Sequence, residues 1–444
     1  MPRIVVRART LGARTLSAAL VAALVGLGLV GCSAHPGAIS PLDQSAAAAA
    51  PAQQAASLAI TPGSGAAQQP ISTEIGVNLA NADLVHVRLV RSGTTQELPG
   101  RLRADGSAWV PDAPLAYSAS YEATVSAKSA DGRDLAQTTS FTTMPAPRSS
   151  VDTGLYAFDG QTVGVAMPIV VQFGHDIPAD ARAEVQKRLF VTTDPQQPGV
   201  WSWASPREIL YRAPNYWKPG TKINVRSALK GVPMGNGQFG DADREATVTV
   251  GDKVFMYVDN KAKQMQVYLN DKLARTMPVS LGKPSTPSSS GFMVTMSHEP
   301  TTVFDTRGEP NGGYVINIQW AMRLTWGGEF VHSAPWSVGS QGHTNVSHGC
   351  VNLSPTNAKW LFDLSHVGDP IIVKGTERTL AHGNGWTAWD LPWSQYITGS
   401  ALPVPPELAN ASAVDNVTGA PPAAPAPAPA TSQTSAAPAA RPTN

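Results

Sequence analysis

Between about residue 71 and residue 250 the chain alternates apolar and polar residues in short runs, each ended by a turn signal. Stretches such as "VNLANADLVHVRLVRSG" and "YEATVSAKSADGRDLAQTTSFTTM" keep a period of two and break at Asp-Gly or Pro-Gly. A period of two puts successive side chains on opposite faces of a strand, so each strand has one face to bury. Short strands at close spacing predict β-sandwiches, at about 100 residues per immunoglobulin-like unit. The segment holds two such lengths, and we place one module at 71–147 and a second at 148–250. No Cys…Trp…Cys core is present, so the likeness is one of architecture. Trp201, Trp203 and Trp217 are assigned to packing, because aromatics supply much of a small sandwich's buried area.

A third unit begins at "KVFMYVDNKAKQMQVYLNDKLARTMPVSLG", where two tight turns join three strands. It contains one clear helix, in "SPTNAKWLFDLSHVG". Ser354 is its N-cap, Pro355 its first helical residue, and Gly368 stands just past its end. "PIIVKG" follows as a buried strand. In "GWTAWDLPWSQYITG" Trp386, Trp389 and Trp393 are expected to form a cap over 377–402, folded back on the third unit. A wall of a substrate cleft is the alternative for these tryptophans.

Residues 33–70 and 403–444 are rich in Ala, Pro, Gln and Ser. With few large apolar groups they are expected to be a flexible tether and a disordered tail. Ahead of the tether, Arg3, Arg7, Arg9 and Arg14 precede the uncharged run "LSAALVAALVGLGLVG", which ends at Cys32. This has the layout of an export signal over residues 1–32. "LVGC" resembles a lipobox, which makes Cys32 the expected lipidation site and anchors the chain on the outer face of the membrane, facing the cell wall.

The whole chain has 33 Lys and Arg against 32 Asp and Glu. That balance leaves no electrostatic footprint for nucleic acid, and none is expected as a partner. Only two cysteines occur. If Cys32 carries lipid, Cys350 is a lone thiol in an exported protein, which marks it as reactive.

Cys350 lies in "HSAPWSVGSQGHTNVSHGCVNL". His332, His343, His348 and Cys350 invite a zinc reading, but their spacing fits no paired Cys/His arrangement, and no metal or cofactor is expected. A catalytic thiol needs a base or cation to become a thiolate. His332, at the end of a strand in "GGEFVHSAPW", can return beside Cys350. Gly349 allows a tight turn before the thiol. The backbone N–H groups of His348, Gly349 and Cys350 are candidates for an oxyanion hole. Ser347, His348 and Asn352 suit the holding of a polar peptide. A buried structural cysteine is the competing reading.

His332 followed by Ser347-His348-Gly349-Cys350-Val351-Asn352 resembles the signature of the L,D-transpeptidases. The likeness runs from "SLGKPSTPSSSGF" to "WDLPW", about residues 250–400, with the catalytic domain at 251–376. A lipoprotein with two immunoglobulin-like modules ahead of the catalytic unit is similar to actinobacterial members. The implied fold is mainly β: two immunoglobulin-like β-sandwiches, then a β-rich catalytic domain with one main helix and a C-terminal cap.

The resemblance implies that Cys350 attacks the third residue of a peptidoglycan tetrapeptide, releasing D-alanine. An amine of a second stem then takes the acyl group. His332 is implied as base and later acid, and Ser333 orients it, through its backbone carbonyl and not through its hydroxyl. His348 and Gly349 belong to the oxyanion region. Tyr314, Gly327, Gly328, Trp336 and Asn352 are implied to bind the stem peptide. Ile316 and Gln319 depart from the hydroxyl and carboxylate side chains common in relatives. A lid is expected over 296–313, in a segment that includes Glu299 and Phe304. Donor and acceptor stem peptides are the expected partners, and carbapenem-type compounds the expected inhibitors. Hydrolysis by an L,D-carboxypeptidase, or a non-catalytic wall scaffold, are the alternatives.

Overall fold

The computed structural model describes residues 55–103, 106–305, 307 and 315–414. Cys32 and Tyr314 lie outside the described residues, as do the lid tip and the chain beyond 414.

The first sandwich pairs Ser57–Thr61, Ile75–Ala80, Ala108–Pro111 and Gly100–Leu102 in one sheet. The other sheet holds Ala66–Gln69, Asp134–Thr143, Ser120–Ser129 and Ala82–Arg91. In Ser120–Ser129 the inward residues are Tyr121, Ala123, Val125 and Ala127, the alternation the sequence carries. Tyr121, Ala123 and Val125 meet Ile75, Leu89, Trp109 and Phe141 in one core.

The expected tether end at residue 70 is corrected here. Ser57–Thr61 pairs with Ile75–Ala80 in register over its full length, and Ala66–Gln69 lies parallel to Asp134–Thr143. An outer strand needs few apolar side chains, because the ladder satisfies its backbone. Ile60 is the one buried residue of Ser57–Thr61.

In the second sandwich, Thr153–Leu155, Ile169–Phe173, Glu208–Arg212 and Val200–Ser205 face Thr162–Val163, Asp243–Val250, Lys222–Ala228 and Leu189–Asp194. Trp201, Trp203 and Trp217 are all buried there, and Trp217 donates its Nε1–H to the Met167 carbonyl at 2.7 Å.

The third unit has a six-stranded sheet in the order Lys272–Pro278, Gln264–Leu269, Val254–Asp259, Pro370–Lys374, Ser289–Val294 and Arg378–Thr379. A four-stranded sheet runs Ser297–Asp305, Val315–Arg323, Phe330–Ser333 and Val351–Leu353. The helix Pro355–Leu364 starts at Ser354, whose side chain accepts from Asn357 N–H. Val331, Val351, Leu353, Ala358 and Leu361 share one core, so one face of this sheet buries itself against the helix.

Gly368 does not cap that helix, which ends at Leu364 with Ser365 N–H on the Leu361 carbonyl. Gly368 and Gly164 instead let the second sandwich and the third unit touch backbone to backbone. A Cβ on Gly164 would stand 2.3 Å from Asp369 N, and one on Gly368 2.5 Å from Met167 Cβ. Gly164 N–H reaches the Val367 carbonyl at 2.8 Å, and Ala166 N–H the Gly368 carbonyl at 3.0 Å.

The tryptophan-rich cap also differs from expectation. It closes over the second sandwich as well as the third unit, and its tryptophans are buried, so they wall no cleft. Trp389 Nε1–H donates to the Ala166 carbonyl at 2.7 Å, and Tyr396 O–H to the Leu210 carbonyl at 2.7 Å. Arg212 of the sandwich lies under the rings of Trp389, Trp393 and Tyr396 at 4.3, 5.0 and 4.4 Å from their centroids. The tail does not begin at residue 403 either. Pro406–Ala409 is a short helix, Leu408 is buried, and the Leu408 carbonyl accepts from Trp393 Nε1–H at 2.7 Å.

Candidate active site

Phe330–Ser333 and Val351–Leu353 are parallel neighbours, with Val331 opposite Val351, His332 opposite Asn352 and Ser333 opposite Leu353. The valines and Leu353 point to the helix. Side chains alternate along a strand, so Phe330, His332 and Asn352 take the other face. Cys350, two residues before Asn352, joins Phe330, Ile318 and Ala321 in a small cluster, with Phe304 and Ile316 packed against it. Ile316 thus packs against the cluster that holds the thiol. Two adjacent strands bring the sequence-predicted thiol and imidazole onto one side of one sheet.

His332 is buried. Its Nδ1 lies 2.8 Å from the carbonyl oxygen of Ser333. A carbonyl only accepts, so Nδ1 carries the proton and Nε2 keeps the lone pair. Burial pushes the imidazole down to about 4, against the opposing pull of the Ser333 carbonyl. The ring is therefore neutral at pH 7. Phe304 meets it edge-on at 5.4 Å between centroids, and Trp336 tilts over it at 6.0 Å. Trp336 is 54% exposed, so its other side is open at the mouth.

Cys350 is buried, with Sγ 3.8 Å from the Gly328 carbonyl oxygen. The turn before it is held from inside. Ser347 Oγ donates to the Cys350 carbonyl at 2.7 Å and accepts from Gly349 N–H at 3.1 Å. Ser288 Oγ donates to the Gly349 carbonyl at 2.7 Å. Gly349 has φ +126°, a backbone state that favours glycine.

These contacts revise several expectations. The Gly349 N–H is taken by Ser347, so it does not serve an oxyanion here. Ser347 braces the turn and does not face a peptide. The His348 side chain is exposed and its Nε2 meets Lys283 Nζ at 3.0 Å. Gly327 N–H donates to Asn384 Oδ1 at 2.8 Å and Gly328 N–H to the Thr325 carbonyl at 3.2 Å. Both N–H groups are thus engaged within the chain, and Gly328 turns its carbonyl to the thiol. Asn352 is buried and gives Nδ2–H to Ser337 Oγ at 3.2 Å, while its buried Oδ1 has no hydrogen-bond partner among the described residues.

Residues 253–373 match the family described as the L,D-transpeptidase catalytic domain, and residues 66–233 match the bacterial Ig domain. L,D-transpeptidase 2 of Mycobacterium tuberculosis is 35% identical over 343 residues, which cover 76% of this chain and 83% of that protein. The chain belongs to the L,D-transpeptidase family. L,D-transpeptidase 1 of the same organism is 39% identical over 222 residues, covering 49% of this chain and 82% of that one. A solved structure of the LD transpeptidase LdtMt1 in complex with imipenem is 39% identical, with TM-score 0.43, and covers 51% of this chain and 100% of that one.

In this L,D-transpeptidase the sequence reading missed the support behind the thiol. Glu329 is buried next to Gly328, and its carboxylate accepts from Ser289 N–H at 3.1 Å, from Ser289 Oγ at 2.8 Å and from the Arg378 guanidinium. A buried carboxylate needs such partners. One signal was available: in "GGEFVH" a charged residue interrupts a run bound for the interior.

Proposed function

We propose that Cys350 is the nucleophile of a peptidoglycan cross-linking reaction, with His332 as its base. The single observation that carries this reading is the shared sheet face of Cys350 and His332, with the imidazole neutral and its Nδ1 proton fixed by Ser333. His332 Nε2 takes the thiol proton, directly or through a water. The thiolate attacks the carbonyl of the third residue in a donor tetrapeptide. The C–N bond to the terminal D-alanine breaks, and the imidazolium returns its proton to the leaving amine, which leaves a thioester on Cys350. A side-chain amine of an acceptor stem attacks the thioester, the C–S bond breaks, and an amide joins the two third residues. His332 receives the amine's proton in this half.

Tyr314 and the backbone at His348 are assigned to the developing oxyanion, by their match to the family motif. Gly349 contributes the turn. Trp336 is assigned to the cleft wall. Asn352 is assigned to the donor peptide by its match to the family motif. The strained carbonyl of a carbapenem is open to the same attack and would leave a stable adduct on Cys350. Lipidation at Cys32 would hold the site on the outer face of the membrane, with the two sandwiches as a stalk within the wall.

Mass analysis of products from the purified protein and a defined tetrapeptide tests this. Cross-linked dimer with released D-alanine is expected. Tripeptide without dimer would replace transfer by hydrolysis.

A further inference from the structure

The Glu329–Arg378 pair lies against the nucleophile turn, and neither residue belongs to the motif. A Cβ on Gly349 would stand 3.6 Å from Glu329 Cγ and 3.7 Å from Arg378 Nη2. The two partners differ in exposure: the Glu329 side chain is 7% exposed and that of Arg378 47%. Glu329 is fully engaged, by Ser289 and by Arg378. Arg378 is not. Its guanidinium has several N–H donors, and among the described residues only Nη2 donates, to Glu329 Oε1. The Arg378 backbone is held too, because Arg378–Thr379 runs parallel to Ser289–Ser290. A half-exposed guanidinium is thus aimed by a buried carboxylate and sits one residue from Cys350.

We propose that Arg378 is a specificity-determining residue that binds a carboxylate of the donor stem within one residue of the attacked carbonyl. This rests on Cys350 as the nucleophile. A guanidinium pairs with a carboxylate through two parallel N–H···O bonds and full opposite charge. A carboxamide offers one oxygen and no charge. The site therefore separates donors that carry a free carboxylate there from donors in which it is amidated. Glu329 is the positioning residue: it offsets the arginine's charge when no donor is bound and fixes the direction of the fork. Two donor groups have the right chemistry and lie within one residue of the attacked carbonyl, the terminal D-alanine carboxylate and a side-chain carboxylate on the third residue.

The test uses the full chain and three synthetic tetrapeptides: both carboxylates free, the third-residue side chain amidated, and the C-terminus amidated. In the wild type one amidation is expected to lower kcat/KM by about tenfold or more, mainly through KM, and which one does so identifies the bound group. Arg378→Gln brings that ratio close to one, and Arg378→Lys restores part of it. A wild-type ratio near one for both amidated donors overturns the proposal. So does Arg378→Gln slowing all three donors equally with the ratio intact, which is the behaviour of a brace alone. Cys350→Ala, run beside them, separates the two readings: turnover that persists there overturns the nucleophile, whereas an unchanged ratio in Arg378→Gln overturns the carboxylate site.

Discussion

The His332 imidazole donates its Nδ1–H to the carbonyl of Ser333 at 2.8 Å, and the Ser333 hydroxyl takes no part in that bond. The ring is oriented by backbone, which substitution of the Ser333 side chain leaves in place. Ser333→Ala is expected to keep kcat/KM within about fivefold. His332→Ala loses about two orders of magnitude or more, as for removal of a positioned base. Steady-state kinetics on the two variants checks both; a Ser333→Ala loss as deep as that of His332→Ala would return the orienting role to the hydroxyl.

The pH dependence follows from burial. His332 is pushed down from 6.5 to about 4 in the folded chain. The fold holds the neutral ring, whereas the unfolded chain takes up a proton near 6.5. Stability from this preference is fully present above pH 6.5 and is lost as pH falls from there towards 4. His298 is lowered to about 4 as well, burial being the main cause, and acts in the same window. Tm should therefore fall between pH 6.5 and 4, and His332→Gln should shallow that fall. The acid limb of kcat/KM should lie nearer 4 than 6.5, and a limb at 6.5 would mean that the ring is solvated in the working enzyme.

Ser347 ties Gly349 N–H and the Cys350 carbonyl into one turn. Ser347→Ala leaves both groups without that partner in a buried place, at a cost of about 1–3 kcal/mol. Gly349→Ala fails for another reason. The new Cβ has room, at 3.6 Å from its nearest neighbour, but φ +126° does not suit it. Denaturant melts should rank both variants below wild type, and acylation of Cys350 should slow in each.

Removal of residues 403–414 should destabilise the fold, although their composition reads as tail. Leu408 loses its buried place, and Trp393 Nε1–H loses its acceptor. The expected loss is about 2–4 kcal/mol. Arg212→Met removes the guanidinium from under three rings and strands the Ala388 and Leu391 carbonyls. It should lower Tm, because the cap then loses two of its hydrogen bonds to the second sandwich. A truncated chain that melts like the intact one would return these residues to the tail.

The sequence carried what depends on local pattern. Alternation along Ser120–Ser129 foretells its inward row. The His332 and Cys350 pairing was legible because the motif itself is written in one stretch. What it did not carry depends on distant partners. Glu329 and Arg378 are brought together by Ser289, which pairs with Arg378 in the six-stranded sheet and donates to the Glu329 carboxylate. Ser347 looked like a peptide-binding hydroxyl, yet a buried turn has backbone groups to satisfy first. The outer strand Ser57–Thr61 was hidden by its composition, since its place in the sheet rests on backbone pairing more than on side chains.

On the proposed mechanism Cys350 takes the acyl group with His332 as its base. Intact-mass measurement of the protein mixed with a tetrapeptide donor and no acceptor tests it most directly. A transient adduct of the donor less D-alanine is expected, mapped to Cys350, absent in Cys350→Ala and much slowed in His332→Ala. An adduct that survives Cys350→Ala, or turnover without any adduct on Cys350, would contradict it.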